Sequence, residues 1–340
     1  MGLFEGKVIL VTGGTGSFGG YFVNHLLDEN FQEIRIFSRD ELKQEEMRLR
    51  FQNSKIKFYI GDVRDRNSVD DAMIGVDYVF HAAALKQVPT CEFFPMQAMQ
   101  TNVIGSQNVI DSAISHNVSK VVSLSTDKAV YPVNALGITK ALMEKVVQSS
   151  SRKLSAGQTI LTLVRYGNVL FSRGSVIPLF MKLIRDKKPL TVTDPEMTRF
   201  LLPLKEAINL VTFALEKGKQ GDIFVRNAPS CTLGDLAEAL KNILGSVSKV
   251  QTIGMRHGEK MHETLASKEE LIRSFDMGDY LRVNMDDRDL NYSKYLNEGD
   301  KKFDSVEDYT SQNSVRLSLK EVEAMLLSQP EIILELNQQK

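Results

Sequence analysis

The 340-residue chain has no tryptophan, two cysteines and nine prolines, and no apolar run long enough to span a membrane. Each scarcity removes a class of reading. Cys91 and Cys231 have neither metal-ligand nor redox spacing, so both are read as reduced thiols and no residue is assigned to a metal. A formal net charge of -1 creates no global field for nucleic acid or an anionic membrane, so any phosphate must be recognised locally. The chain enters a strand almost at once, without a charged region followed by an apolar signal core, and a cytoplasmic location is expected. Repeats, low-complexity tracts and long Pro/Gly linkers are also missing, and the charged stretch from Arg39 to Arg50 reads as a solvated helix face. What is present suffices for one large α/β domain and a smaller appended one, since 42% hydrophobic content can fill such a core.

Lys7 to Thr12 reads as a buried strand that runs into Gly13-Gly14-Thr15-Gly16-Ser17-Phe18-Gly19 and then the apolar-periodic Tyr21 to Leu27. Strand, glycine turn and helix in that order predict a dinucleotide site. The glycines permit positive φ and close backbone approach, and the helix start supplies free N–H donors. Gly13, Thr15, Gly16, Ser17, Phe18 and Gly19 are the expected contacts. The second strand, Glu33 to Ser38, ends without the acidic residue that would bind a free ribose 2′-hydroxyl; Ser38 and Arg39 follow instead, which favours NADP over NAD. Asp62 and Val63, ending a third strand, are candidates to meet the adenine. The fourth strand, Asp77 to His81, opens into Ala82, Ala83 and Ala84, whose small side chains admit a ligand, with Lys86 beside a ribose or phosphate. The fold class expected is α/β, a Rossmann-like doubly wound parallel sheet with a smaller C-terminal substrate-binding domain.

Ser125-Thr126-Asp127-Lys128 lies between the apolar stretch Lys120 to Leu124 and the helix-like Asn134 to Ser149. Such a tetrapeptide alone is a solvated turn with a helix cap. At a strand end beside a hydride-transferring cofactor, it puts a hydroxyl, a carboxylate and an amine where they can move protons on a sugar.

Thr12 to Gly19, His81 to Pro95, Ser123 to Lys140, and Arg165 to Val169 with Ser172 to Ser175 together resemble the extended short-chain dehydrogenase/reductases. The second and third segments resemble more specifically the inverting UDP-N-acetylglucosamine 4,6-dehydratases of bacterial surface-sugar synthesis, and the similarity continues through Asp289 to Ser293. Arg256-His257-Gly258-Glu259-Lys260 and Asp276 to Tyr280 are most similar to the capsular branch, which begins UDP-N-acetyl-L-fucosamine synthesis.

The resemblance implies an NADP-dependent lyase acting on UDP-N-acetylglucosamine, with UDP-2-acetamido-2,6-dideoxy-β-L-arabino-hex-4-ulose as product. It implies that Thr126 binds the C4 oxygen, Asp127 protonates the departing C6 hydroxyl and Lys128 removes the C5 proton. Lys140 would hold the nicotinamide ribose. The usual superfamily tyrosine, four residues before that lysine, is Leu136 here. Lys128 is expected to have a lowered pKa, from burial and neighbouring Lys140, and Asp127 a raised one. Tyr166 and Asn168 would border the nicotinamide, with Asn168 turned toward the sugar or its phosphate. Lys86 and Tyr131 are substrate-pocket candidates, Tyr131 alternatively a packing residue. Arg199 and Arg256 would grip the UDP diphosphate, and Glu259 the uridine ribose. His257 and His262 receive no catalytic role. The alternatives are a UDP-sugar 4-epimerase or reductase on the same fold, added epimerisation at C3, and a non-catalytic NADP-responsive protein.

The cofactor domain is expected over residues 1–165 plus about 201–225, and the nucleotide-sugar domain over about 166–200 plus 226–340. Ser318 to Glu321 reads as a capping box and Pro330 as a helix break or restart. The polar stretch Asn297 to Ser314 is expected to be an exposed arm, and arms of that kind point to a homo-oligomer.

Overall fold

The structure, a computed structural model, describes residues 2–286 and 306–338. Six strands, β1 (Val8–Thr12), β2 (Glu33–Ser38), β3 (Ile56–Ile60), β4 (Tyr78–His81), β5 (Lys120–Leu124) and β6 (Ile160–Arg165), form a parallel sheet in the order β3-β2-β1-β4-β5-β6. All of β1 and β4 is buried because helices cover both faces, which is why these strands are apolar runs and not alternating patterns. One face packs Leu10, Val79, Val121 and Leu161 against Ile110, Met143 and Val147; the other packs Ile9, Val11, Phe80 and Val122 against Phe22 and Val211. The expected doubly wound parallel sheet is the observed one. From β1 the chain steps outward to β2 and β3 and then crosses back to β4 on the other side of β1, and the crevice at that switch is where such sheets bind ligands.

The sheet extends past β6 through Ile223–Arg226, which is parallel to it, and then through antiparallel Tyr280–Val283 and Ser274–Asp276. The last two fall inside the stretch 226–340 expected to belong wholly to the smaller domain. Hydrogen bonding to an open sheet edge draws them back to the main sheet.

A third core holds Phe180, Leu201, Leu236, Leu240, Val322 and Leu326, from the helices Val176–Arg185, Leu233–Ile243 and Leu319–Leu327 and the strand Thr198–Leu202. Ser318 caps the last of these helices, its N–H and hydroxyl both donating to Glu321, and Pro330 starts the next, Pro330–Gln338. The expected exposed arm is corrected over its described part, residues 306–314. Tyr309–Thr310 pairs with Thr264–Ala266 and Ser311 is fully buried; residues 297–305 of that stretch, and the segment Asp289 to Ser293, lie outside the described residues. Among the described residues no helix is long and apolar enough to cross a membrane, and no cluster of side chains could hold a metal ion.

Candidate active site

A cleft of about 1200 Å³ opens at the carboxyl ends of the parallel strands. Its floor is the glycine turn: Gly13, Thr15, Gly16, Ser17, Phe18 and Gly19 all line it. Two glycines are required by packing. At Gly13, with φ of +66°, an added Cβ would sit 2.8 Å from the Ala83 nitrogen; at Gly19 it would sit 2.5 Å from the Gly13 carbonyl. The helix Ser17–Leu26 starts with neither a side-chain cap nor an acidic residue in its first turn, so its leading N–H groups are left for an anion.

Ser38 and Arg39, Asp62 and Val63, and Ala82, Ala83, Ala84 and Lys86 also line the cleft. Thr15 and Ser38 share a hydroxyl hydrogen bond of 2.7 Å. Arg39 lies 3.4 Å from Asp62, which also accepts from Arg64; burial opposes the Asp62 charge, but the Arg64 hydrogen bonds prevail and hold its pKa below the usual carboxylate value. Thr12 bonds to His81 at 2.7 Å, and His81 in turn to Ser106 at 2.8 Å, pinning the ends of β1 and β4 together. Burial, reinforced by Lys140, pushes that imidazole down to about 3, so it works as a neutral strut. Lys86 is pushed below the ordinary lysine value by burial and by Arg173, a second cation on the cleft wall.

At the end of β5 the chain makes one short turn, Asp127–Ala129, with extended Thr126 at its head. Thr126 and Lys128 line the cleft, and Asp127 is fully buried behind them. The Thr126 hydroxyl donates to Asp127 Oδ1 at 2.8 Å and Lys128 Nζ to the same oxygen at 3.0 Å, while Oδ2 has no partner among the described residues. Burial raises the Asp127 pKa, as expected. The expectation for Lys128 is corrected. Burial does lower its pKa, but Asp127 on one side and Glu263, 3.5 Å away on the other, outweigh burial and hold it above the ordinary lysine value.

Lys140 lines the cleft from the helix Ala135–Ser151 and donates to the Leu124 carbonyl at 2.8 Å. Burial lowers its pKa to about 8 against the opposing pull of Glu144. One turn earlier, Leu136 is 4% exposed and packs with Cys91 and Ala98. Tyr166 and Asn168 lie across the cleft, Tyr166 stacked on Phe18 with ring centroids 5.4 Å apart. Burial and then Asp127 raise the Tyr166 pKa, keeping the phenol protonated.

Three substrate candidates stand off this cleft. Arg199 is 9% exposed, donates to the Thr198 carbonyl at 2.7 Å and lies 3.9 Å from Glu263, so its charge is spent inside the protein behind Lys128. Tyr131 is half exposed and donates to Asp308 at 3.1 Å. Glu259 lies 3.9 Å from Arg256, and only Arg256 of that pair lines the cleft.

Four groups here have no role assigned from the sequence: Glu263, Lys260, Arg173 and the buried ion chain Glu144–Arg165–Glu270. Lys260 donates to the Val130 carbonyl at 2.6 Å. Arg165 binds Glu144 at 2.6 Å and Glu270 at 2.8 Å, and Glu144 also accepts from Ser125, which ties the start of the turn after β5 to the smaller part of the molecule. Glu263 sits four residues after Glu259, inside a charged run that was available to be noticed, but its partner Lys128 is distant in the chain and no spacing marks the pair.

Residues 9–285 match the family model described as polysaccharide biosynthesis protein, and residues 286–332 match the one described as polysaccharide biosynthesis protein C-terminal. Proteins named UDP-glucose 4-epimerase from Rickettsia canadensis (strain McKiel) and Rickettsia typhi (strain ATCC VR-144 / Wilmington) are each 56% identical over 330 residues, covering 96% of this chain and 97% of theirs. Among solved structures, Pen from Bacillus thuringiensis is 36% identical with a TM-score of 0.86, over 96% of this chain and 100% of its own. DesIV, a dTDP-glucose 4,6-dehydratase from Streptomyces venezuelae solved with NAD and TYD bound, shares the fold at 23% identity and a TM-score of 0.68, over 75% of this chain and 86% of its own.

Proposed function

Since the chain belongs to the polysaccharide biosynthesis protein family and is a nucleotide-sugar epimerase/dehydratase of the extended short-chain dehydrogenase/reductase type, we propose that it is an NADP-dependent UDP-N-acetylglucosamine 4,6-dehydratase that inverts C5. Its product under this reading is UDP-2-acetamido-2,6-dideoxy-β-L-arabino-hex-4-ulose. The observation that carries the proposal is the Asp127–Lys128 pair, in contact at 3.0 Å, with Lys128 on the cleft wall and Asp127 buried behind it.

A 4,6-dehydration oxidises C4, acidifies the C5 proton through the new ketone, expels the C6 hydroxyl, and then returns hydride to C6 while a solvent-derived proton adds to C5 from the opposite face. The residues present fit a nicotinamide dinucleotide: an uncapped helix start for a pyrophosphate, Arg39 at the rim for a 2′-phosphate, and Lys140 for a ribose. When bound, that cofactor supplies hydride acceptance from C4 and hydride return to C6. The chain supplies the rest. Thr126 binds the C4 oxygen, and Lys128 takes the C5 proton. Asp127, one hydrogen bond behind the cleft, is the proton source for the leaving hydroxyl.

The raised pKa of Lys128 does not oppose this. A single proton shift from Nζ to Asp127 Oδ1 converts the resting ion pair into a neutral acid and a neutral amine, and burial, which disfavours both charges, brings the two forms closer in energy.

A second reading, 4-epimerase, is favoured by the names of the 56% identical relatives. An epimerase moves a proton at O4 and no leaving group, work that a phenol four residues before the lysine ordinarily does. Leu136 cannot do that work, and an acid for C6 would have no use. Incubation with UDP-N-acetylglucosamine in deuterated water, followed by NMR, decides between them. The dehydratase reading predicts a C6 methyl group and deuterium at C5 with the L configuration. UDP-N-acetylgalactosamine with its C6 hydroxyl intact would establish the epimerase.

A further inference from the structure

We propose that Glu263, contributed by the turn ahead of Thr264–Ala266, is a positioning residue that controls how tightly Lys128 and Asp127 hold their shared proton; this deepens the dehydratase reading and rests on it. Glu263 is 3% exposed. Ser311 fixes its backbone from both sides: the Glu263 N–H donates to Ser311 Oγ at 2.9 Å, and the Ser311 N–H donates to the Glu263 carbonyl at 2.8 Å. That clamp aims the side chain at the catalytic turn, with Oε1 3.5 Å from Lys128 Nζ and 3.9 Å from Arg199 Nε. Its other oxygen, Oε2, is buried with no partner among the described residues. A carboxylate left half-satisfied inside a protein costs stability. Its orientation is therefore better explained by the cations it faces than by packing.

Among the described residues, the charged and titratable groups around it are Asp127 and Lys128 from the turn after β5, Arg199 from the strand Thr198–Leu202, and Lys260 and the adjacent His262 on its own segment. Lys128 thus lies between two carboxylates, only one of which can become its acid partner. A negative Glu263 favours the ammonium of Lys128 and disfavours the carboxylate of Asp127, so it raises the proton affinity of both members. It does not line the cleft, and acts through its charge on Lys128, 3.5 Å away, and on Asp127 beyond it.

The test uses Glu263→Gln, Glu263→Asp and Ser311→Ala in the full chain. The first reading is acetylation of Lys128 by acetic anhydride at increasing pH, followed by peptide mass spectrometry, which needs no substrate. Removing the charge in Glu263→Gln should speed labelling of Lys128 at about pH 9 by about tenfold or more and move the alkaline limb of the turnover profile down by about one pH unit. Glu263→Asp keeps the charge and should stay within about threefold of the wild type. Ser311→Ala, which loosens the clamp without removing charge, should move labelling and the alkaline limb in the same direction as Glu263→Gln, by a smaller amount.

Labelling of a cooperatively melting Glu263→Gln protein within about twofold of the wild type overturns the proposal. If that variant does not fold, Arg199→Gln approaches from the other side. Freed of its competing cation, Glu263 holds Lys128 more tightly and labelling slows by about threefold or more, whereas unchanged labelling overturns the proposal. A wild-type protein that makes no 6-deoxy product defeats the dehydratase reading, while the labelling result still decides the role of Glu263.

Discussion

The glycine-turn wall of the cleft takes its groups from one continuous stretch, Gly13 to Gly19, with the backbone itself as the surface; the charged corner gathers Lys128, Arg199 and Glu263 from three elements far apart in the chain. The first wall is built from what is missing, side chains at Gly13 and Gly19 and a cap at the helix start. The second is built from charges taken out of water, where each survives only through its neighbours. A backbone cradle tolerates change away from its glycines. A buried charge cluster has no neutral member, and altering any one residue shifts the protonation of the rest.

That contrast predicts separable defects. Asp127→Asn keeps the shape of the turn but removes the proton source, and should cut turnover by about a thousandfold or more while leaving NADP affinity within about twofold. Parallel loss of NADP binding, measured by fluorescence titration, would show that the two walls are not independent. On the other wall, Arg39→Ala should weaken NADP by about tenfold to a hundredfold and leave NAD nearly unchanged. Equal weakening of both cofactors would remove Arg39 from the 2′-phosphate role.

The ion chain behind the corner sharpens the comparison through pH. Burial works against the Glu270 charge, but Arg165 holds the folded-state pKa down to about 2, against an ordinary value of 4.5. A depressed carboxylate stabilises the fold above its unfolded value, so this contribution is complete above about pH 5 and is lost as pH falls toward 2, up to about 3 kcal/mol. Glu270→Gln should lower the denaturation midpoint near neutral pH and flatten its decline over that acid range. A variant whose acid decline matched the wild type would mean that Arg165 does not hold Glu270 charged.

The same division sets what was legible in the sequence. The strand, glycine turn and helix could be read because each part adjoins the next, and the replacement of a phenol by Leu136 could be read because a helix turn fixes its distance from Lys140. The inward turn of Arg199 could not. An arginine on a short strand says nothing about which way it faces, and its neighbour Glu263 comes from a different segment. The raised pKa of Lys128 is only half legible for the same reason: Asp127 adjoins it in the chain, whereas the second carboxylate, Glu263, arrives only through tertiary packing. The strands at 274–283 escaped because an edge strand is recruited by the sheet it joins more than by its own pattern.

The central claim is that Lys128, paired with Asp127, removes the proton at C5 of a UDP-N-acetyl-sugar. The direct test is hydrogen exchange at C5 in deuterated water, followed by NMR for the wild type and for Lys128→Ala loaded with the same cofactor. The account predicts deuterium at C5 with the wild type and none above background with the variant. Normal C5 exchange and turnover in Lys128→Ala would contradict it.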